Sequence, residues 1–253
     1  MDKFKVSLIT VSFNSERTIR DTIESVLSQD YELVEYIVID GGSTDSTLDI
    51  INDYKEKIQI IVSEPDGGIY DAMNKGLRLS SGDIIGVINS DDFYPDDHII
   101  STVVTVFQEN INSELVLGAI DFVKNTDLNN SVRKYSSKYF MPWMMRFGMM
   151  PPHPAAFIKK EAYDRIGNYK LDYKIAADFD LLSRMLQVDS SPYTKLDHVC
   201  VRMRLGGVST EGLSSFKVIS NEILRSLKEN NIYSNSVFVL LRVISKIKQL
   251  IFT

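Results

Sequence analysis

A single cysteine, Cys200, stands in the 253 residues, which excludes an internal disulfide framework and suits a reducing compartment. In the strand-like run His198 to Met203 its thiol reads as a small buried hydrophobe, not a nucleophile. No uncharged apolar run of about 18 residues occurs, so no membrane-spanning helix is expected. Met1 to Lys5 is polar and leads into a strand, so no signal peptide is expected either. No G-x-x-x-x-G-K-[ST] loop is present, and no G-x-G-x-x-G follows the first strand. A bound nucleotide must therefore be held by base and ribose contacts plus a metal. Three histidines and one cysteine form no cluster, which speaks against zinc. A basic surplus is missing too: the net charge of -6 argues against bulk nucleic-acid binding.

What remains is an ordinary soluble composition, 44% apolar and 25% charged, long enough for one large domain or two small ones. The first hundred residues alternate strand and helix. Strands are expected at 5–12, 36–40, 58–63 and from Ile84. Helices are expected at 15–29, with Ser15 as N-cap, after the loop Gly41 to Asp45, and from Ile69 to Leu79. That alternation predicts an α/β chain with a mostly parallel central sheet and helices on both faces. After residue 123 the rhythm breaks without a linker or repeat. A helix is expected at 175–186, a strand near 195–204, a glycine loop "RLGGVST" and a helix from about Leu213 to Lys228.

Polar groups fall at the carboxyl ends of successive strands: Ser12 and Asn14, Asp40, Glu64 with Asp66, and Asp91 with Asp92. In an open α/β sheet that edge is the ligand crevice. The run "DIIGVINSDD" is the sharpest case, because adjacent carboxylates after a buried strand need solvent or a cation between them. They offer hard oxygen ligands, suited to Mg²⁺ or Mn²⁺.

"SLITVSFN", "VIDGGSTDST", "EPDGGIYDAMNKG", "NSDD" and "AADFD" together resemble the inverting glycosyltransferases of family 2, nearest to bacterial enzymes of colanic acid and O-antigen assembly. The resemblance implies the GT-A fold over residues 1–235, with a nucleotide-sugar-binding half (1–123) and an acceptor half (124–235). It implies that Thr10, Ser12, Asn14, Asp40, Asp66, Lys75, Asp91 and Arg204 surround a UDP-sugar. Asp92, with Asp91, would hold Mn²⁺ or Mg²⁺, and Asp178 would be the catalytic base. The family motif commonly reads Glu-Asp where this chain has Ala177-Asp178, so Asp180 stays a competitor for the base. Two apart on a helix, the two acids point to different faces, and only one can face the cleft. His153 is expected either at the acceptor or diphosphate, or in loop packing. Trp143 is a further acceptor candidate.

The resemblance further implies transfer of a glucose- or galactose-type hexose to a polyprenyl-diphosphate-linked saccharide, at the cytoplasmic face of the bacterial inner membrane. A soluble acceptor, or a silent nucleotide-sugar-binding subunit, are the rival readings. Two features bear on a membrane. Residues 128–160 hold no Asp or Glu but carry Arg133, Lys134, Lys138, Arg146, Lys159 and Lys160, with Trp143 and five methionines. The tail 236–253 reads as a basic amphipathic helix with Arg242, Lys246 and Lys248, which packs on the core or lies on an anionic lipid surface.

Overall fold

The computed structural model describes residues 3–206 and 212–241. Its first half is four parallel strands, β1 (Val6–Ser12), β2 (Val34–Asp40), β3 (Ile60–Ser63) and β4 (Ile84–Asn89). Between them run α1 (Ile19–Leu27), α2 (Thr47–Asp53) and α3 (Ile69–Leu79). The strands are apolar on both faces because both are covered, as parallel sheets require. Along β1, Ile9 and Val11 join the core beneath α3, while Val6 and Leu8 join the core beneath α1. Such alternation follows from the two-residue period of a strand.

Beyond β4 the sheet turns mixed. Here lie β5 (Asp92–Phe93), α4 (Ile99–Glu109), β6 (Leu115–Lys124), β7 (Asp127–Ser136), β8 (Ala156–Lys159) and α5 (Lys160–Ile166). They are followed by α6 (Ala177–Ser183), β9 (Tyr193–Arg204) and α7 (Gly212–Glu229). The strand order is β3-β2-β1-β4-β8-β6-β9-β5, with β7 added on β6. The parallel β6–β9 pair continues the sheet, and tiny β5 closes it by pairing antiparallel with Arg202 and Met203.

That pairing explains the abrupt "NSDD". After Asn89 the chain leaves the sheet, turns at Ser90-Asp91, and is recaptured at Asp92 by β9. Thr22 Oγ1 on α1 fixes the turn by donating to the Asp92 carbonyl at 2.6 Å.

The start of α1 differs from expectation. Thr18, not Ser15, precedes the helix, and no side chain caps it. Ser15 instead bridges two strand ends, its hydroxyl 2.7 Å from that of Ser90. The helix expected at 175–186 is α6 followed by a π turn over Arg184–Val188. Cys200 is buried as expected, packed where a side chain on Gly118 would collide with its sulfur. Arg242 to Thr253, most of the tail read as a basic amphipathic helix, lie outside the described residues.

Candidate active site

A cavity of about 1090 Å³ opens at the carboxyl ends of β1, β2 and β4. It is large enough for two substrates together, since drug-sized ligands need roughly 300–1,000 Å³. Ser12, Phe13 and Asn14 from the end of β1 line it, with Gly41, Asp66, Asn89, Asp91 and Arg204. Its other wall carries Tyr70, His153, Lys174, Ile175 and Asp178. Strand ends and the first turn of α6 thus meet across one space.

The β1 side is built by local hydrogen bonds. Asn14 has a positive φ of 48°, a conformation that Asn tolerates better than most residues. Its Oδ1 accepts the Thr44 N–H at 2.9 Å and its own N–H donates to Ser43 Oγ at 2.8 Å. Asp66 Oδ1 accepts the Gly68 N–H at 2.8 Å. Its other oxygen lies 2.8 Å from where a β-carbon on Gly41 would stand. Glycine at 41 is therefore what lets the Asp66 carboxylate lean over the end of β2.

Several residues expected here are elsewhere. Thr10 is fully buried two residues inside β1, its hydroxyl 3.0 Å from that of Tyr36. The strand carries it away from the open end, and Val11 lines the cavity in its place. Asp40 is buried and spends its carboxylate on the loop that follows it. It accepts from Ser12, Ser43 and Ser63 hydroxyls and from the Gly42 and Ser43 N–H groups. Those bonds hold its pKa down against the burial that would raise it. Lys75 pairs with Glu64 at 3.0 Å and Asp71 at 3.8 Å, bracing the loop that bears Asp66 without lining the cavity. Trp143 is 54% exposed on the 3₁₀ turn Pro142–Phe147 and packs edge-on to Phe147, outside the cavity.

The two competing aspartates of α6 part company. Asp178 lines the cavity and accepts the N–H of Phe179 at 2.8 Å, with the Tyr70 hydroxyl also interacting with it. Burial pushes its pKa up to about 6. Asp180 is 0% exposed and paired with Arg184 at 2.8 Å and Lys170 at 3.2 Å. It also accepts from Ser226 and Asn230 at 3.0 Å each, tying α6 to α7. Asp180→Ala is therefore expected to lower stability by about 3 kcal/mol or more, because two cations and two polar donors lose a buried partner. Chemical denaturation of the full chain measures this.

His153 also faces the cavity, yet its Nε2 lies 2.6 Å from the Tyr169 hydroxyl. Burial lowers its pKa to about 4, so the ring is neutral at physiological pH.

Asp91 lines the cavity, while Asp92 lies just under its floor, 1% exposed. Asp92 Oδ2 accepts from Asn89 at 3.2 Å. Asp92 Oδ1 and Asn89 Oδ1 are buried without any partner. Burial, then the neighbouring Asp91 charge, pushes the Asp92 pKa well up. Arg204 is the adjacent cation, but it donates to the Asp91 carbonyl at 2.6 Å and to the Asp21 carboxylate, not to Asp92. Unpartnered hard oxygens beside a second carboxylate fit a divalent cation. No group of three or more His, Cys, Asp or Glu among the described residues could hold one alone. The remaining ligands would come from phosphate and water, as Mg²⁺-type sites commonly arrange.

Comparison with known proteins decides the family. The glycosyl transferase family 2 model matches residues 7–167. The chain belongs to glycosyltransferase family 2. An uncharacterized glycosyltransferase of Mycobacterium tuberculosis, Rv1514c, is 31% identical over 214 residues, 84% of this chain and 78% of that one. The PGL/p-HBAD biosynthesis glycosyltransferase Rv2957 of the same species is 27% identical over 226 residues, 87% of this chain and 83% of its own. Among solved structures, Staphylococcus aureus TarS 1-349 superposes with a TM-score of 0.67 at 20% identity, over 95% of this chain and 72% of that one. The chain spans 39% of a longer TarS chain. A mannosyltransferase of Pyrobaculum calidifontis, solved with GDP-Man and Mn²⁺, gives 0.64 at 20% identity, covering 90% of this chain and 64% of that one. These likenesses fix the fold as GT-A, and the glycosyltransferase activity follows from the family.

Of the polar strand-end residues of this glycosyltransferase, Ser12, Asn14, Asp66 and Asp91 line the cavity as the sequence suggested. Phe13, Tyr70 and Lys174 line it too but escaped a search for polar groups at strand ends. Phe13 and Tyr70 lie inside the quoted motifs "SLITVSFN" and "EPDGGIYDAMNKG", which was the available signal. Nothing local marks Lys174.

Proposed function

We propose that the cavity transfers a hexose from a UDP-sugar, with inversion, to a polyprenyl-diphosphate-linked saccharide of bacterial surface polysaccharide synthesis. The observation that carries this reading is one space lined by Asp91, Arg204 and the Asp178 carboxylate, with the unpartnered Asp92 oxygen buried next to Asp91 beneath it. A TarS structure solved with UDP-GlcNAc lends the donor class. Asp66, Ser12 and Asn14, which line the cavity, would contact base and ribose, and Phe13, 63% exposed beside them, offers a flat apolar face. Mn²⁺ or Mg²⁺ on Asp92 and Asp91 supplies Lewis-acid stabilisation of the departing diphosphate when bound. Asp178, ionised at neutral pH, takes the proton of the acceptor hydroxyl as that oxygen attacks the anomeric carbon from the face opposite the diphosphate. His153, neutral and held by Tyr169, shapes the wall next to that approach.

The test is incubation with UDP-glucose, UDP-galactose and UDP-N-acetylglucosamine plus a synthetic polyprenyl-diphosphate saccharide, with product analysis by mass spectrometry. Extension of the lipid-linked acceptor is expected. Extension only of water-soluble saccharides would instead support the soluble-acceptor reading.

The acceptor reading also places the enzyme on the cytoplasmic membrane surface. No helix among the described residues is long and apolar enough to cross a membrane. The basic stretch contributes less free charge than its composition implies: Lys134 and Lys138 both pair with Asp197, and Arg133 stacks on Phe122. Trp143, Phe147, Phe238 and Tyr233 form a chain of ring contacts, with Trp143 and Tyr233 exposed, and aromatic rings of this kind suit a lipid interface. Replacing Arg242, Lys246 and Lys248 by Gln is expected to weaken flotation with anionic liposomes, each charge contributing about 1 kcal/mol. Equal recovery of both proteins in the soluble fraction would remove the membrane from this account.

A further inference from the structure

Helix α6 begins without a cap of its own. Its N-cap residue is Ala176, which has no side chain to offer the free N–H groups of the first turn. The N–H groups at and just before that N-cap are satisfied from 46 to 48 residues away. Glu222 on α7 accepts the Lys174 N–H at 2.7 Å, the Ile175 N–H at 3.0 Å and the Ala176 N–H at 2.9 Å. From the opposite side Tyr70 donates its hydroxyl to the Ile175 carbonyl at 2.5 Å. Lys174, Ile175, Tyr70 and Asp178 all line the cavity. One carboxylate therefore holds the backbone that leads into the first turn of the helix bearing Asp178.

We propose that Glu222 is a positioning residue for Asp178, keeping that carboxylate turned to the cavity by occupying the backbone donors that would otherwise draw it in. This rests on Asp178 being the base. An aspartate in a first helical turn readily caps its own helix when N–H groups are free. Asp178 already accepts one such bond, from Phe179. With Glu222 gone, three more vacant donors would compete for it, and a carboxylate recruited by backbone N–H groups is both misdirected and less basic. Glu222's charge acts in the same sense, since it raises the proton affinity of Asp178. The other titratable groups around Asp178 are Tyr70 from α3, Tyr169 from the loop before α6, and His153 and Lys174 on the cavity wall.

The experiment compares Glu222→Ala, Glu222→Gln and Asp178→Asn with the unaltered full chain. It follows UDP release from the panel UDP-sugars with water as acceptor, the pH dependence of kcat, and UDP affinity by calorimetry with Mn²⁺. Glu222→Ala is expected to lower kcat on the order of 100-fold, the cost of a small misplacement. UDP affinity should stay within about two-fold and the acid limb should move to lower pH, as bonded carboxylates do. Glu222→Gln keeps an acceptor oxygen but not the charge, so it should recover most of kcat with the acid limb still displaced. An unmoved acid limb in both variants, or losses of kcat and UDP affinity in equal measure, would overturn the proposal. If Glu222→Ala fails to fold, the Gln variant decides alone by the same two criteria. An active Asp178→Asn, or no UDP release by the unaltered chain, would bring down the base assignment and the Glu222 proposal with it. An inactive Asp178→Asn beside an unaffected Glu222 pair would sink the Glu222 proposal alone.

Discussion

Asp178→Asn is expected to lower turnover by about 10³-fold, within the range for loss of a general base, while leaving UDP affinity intact. The two side chains have the same shape, so the cavity keeps its wall and loses only its proton acceptor. Because burial pushes the Asp178 pKa up to about 6, the rate should fall as pH drops through that value. Below it the carboxylate is protonated and cannot accept the acceptor's proton. The stability consequence has the opposite sense to the usual carboxylate. A folded-state pKa above the unfolded value of about 3.9 means the native state binds the proton more tightly. Stability from this group is greatest when it is protonated and declines as pH rises from about 4 through 6. Asp178→Asn should therefore melt at the same temperature or higher at neutral pH. A variant that is inactive and no less stable separates a chemical role from a structural one. If Asp180→Asn proves inactive but folded while Asp178→Asn turns over normally, the assignment is off by two residues.

Asp92→Asn should cost at least about 100-fold in transfer, the scale for losing one group that stabilises transition-state charge. Excess chelator should do the same to the unaltered enzyme, and Mn²⁺ or Mg²⁺ should restore it. The structural basis is the buried, unpartnered Asp92 oxygen beside Asp91, a pair whose carboxylates Arg204 does not bond. Calorimetry gives a readout independent of turnover: UDP should bind the unaltered protein more tightly with Mn²⁺ than without it. That difference should vanish in Asp92→Asn. Full transfer in excess chelator would remove the divalent ion from the mechanism.

How much of this was legible in the sequence depends on where each signal lies. The alternation of β1 to β4 with their helices was plain because each strand is an apolar run ended by polar residues. Ser12, Asn14, Asp66 and Asp91 lie at those ends and all reach the cavity. Thr10 and Lys75 belong to the same motifs but not to the cavity. The first lies two residues inside its strand, and the second is captured by Glu64 and Asp71. Motif membership says that a segment is near the site; strand register and ion pairing decide which side chains face it. The mixed half of the sheet was not legible, since β5 is two residues long and gains its place only by pairing with β9. Asp178 and Asp180 could not be ranked by spacing alone. What separates them is α7 and the residue after it: Ser226 and Asn230 bury the second, and Glu222 frees the first. No local pattern encodes contacts made across 46 to 50 residues.

The central claim is that one cavity holds the nucleotide diphosphate over Asp91 and Asp92 and faces it with Asp178. The measurement that tests it most directly is an anomalous-scattering map from crystals of the full chain soaked with UDP and Mn²⁺. A manganese peak bonded to a carboxylate oxygen of Asp92 or Asp91 and to the UDP phosphates, inside the cavity lined by Asp178, is the predicted result. UDP bound away from this cavity, or manganese bound with no contact to either aspartate, would contradict the account.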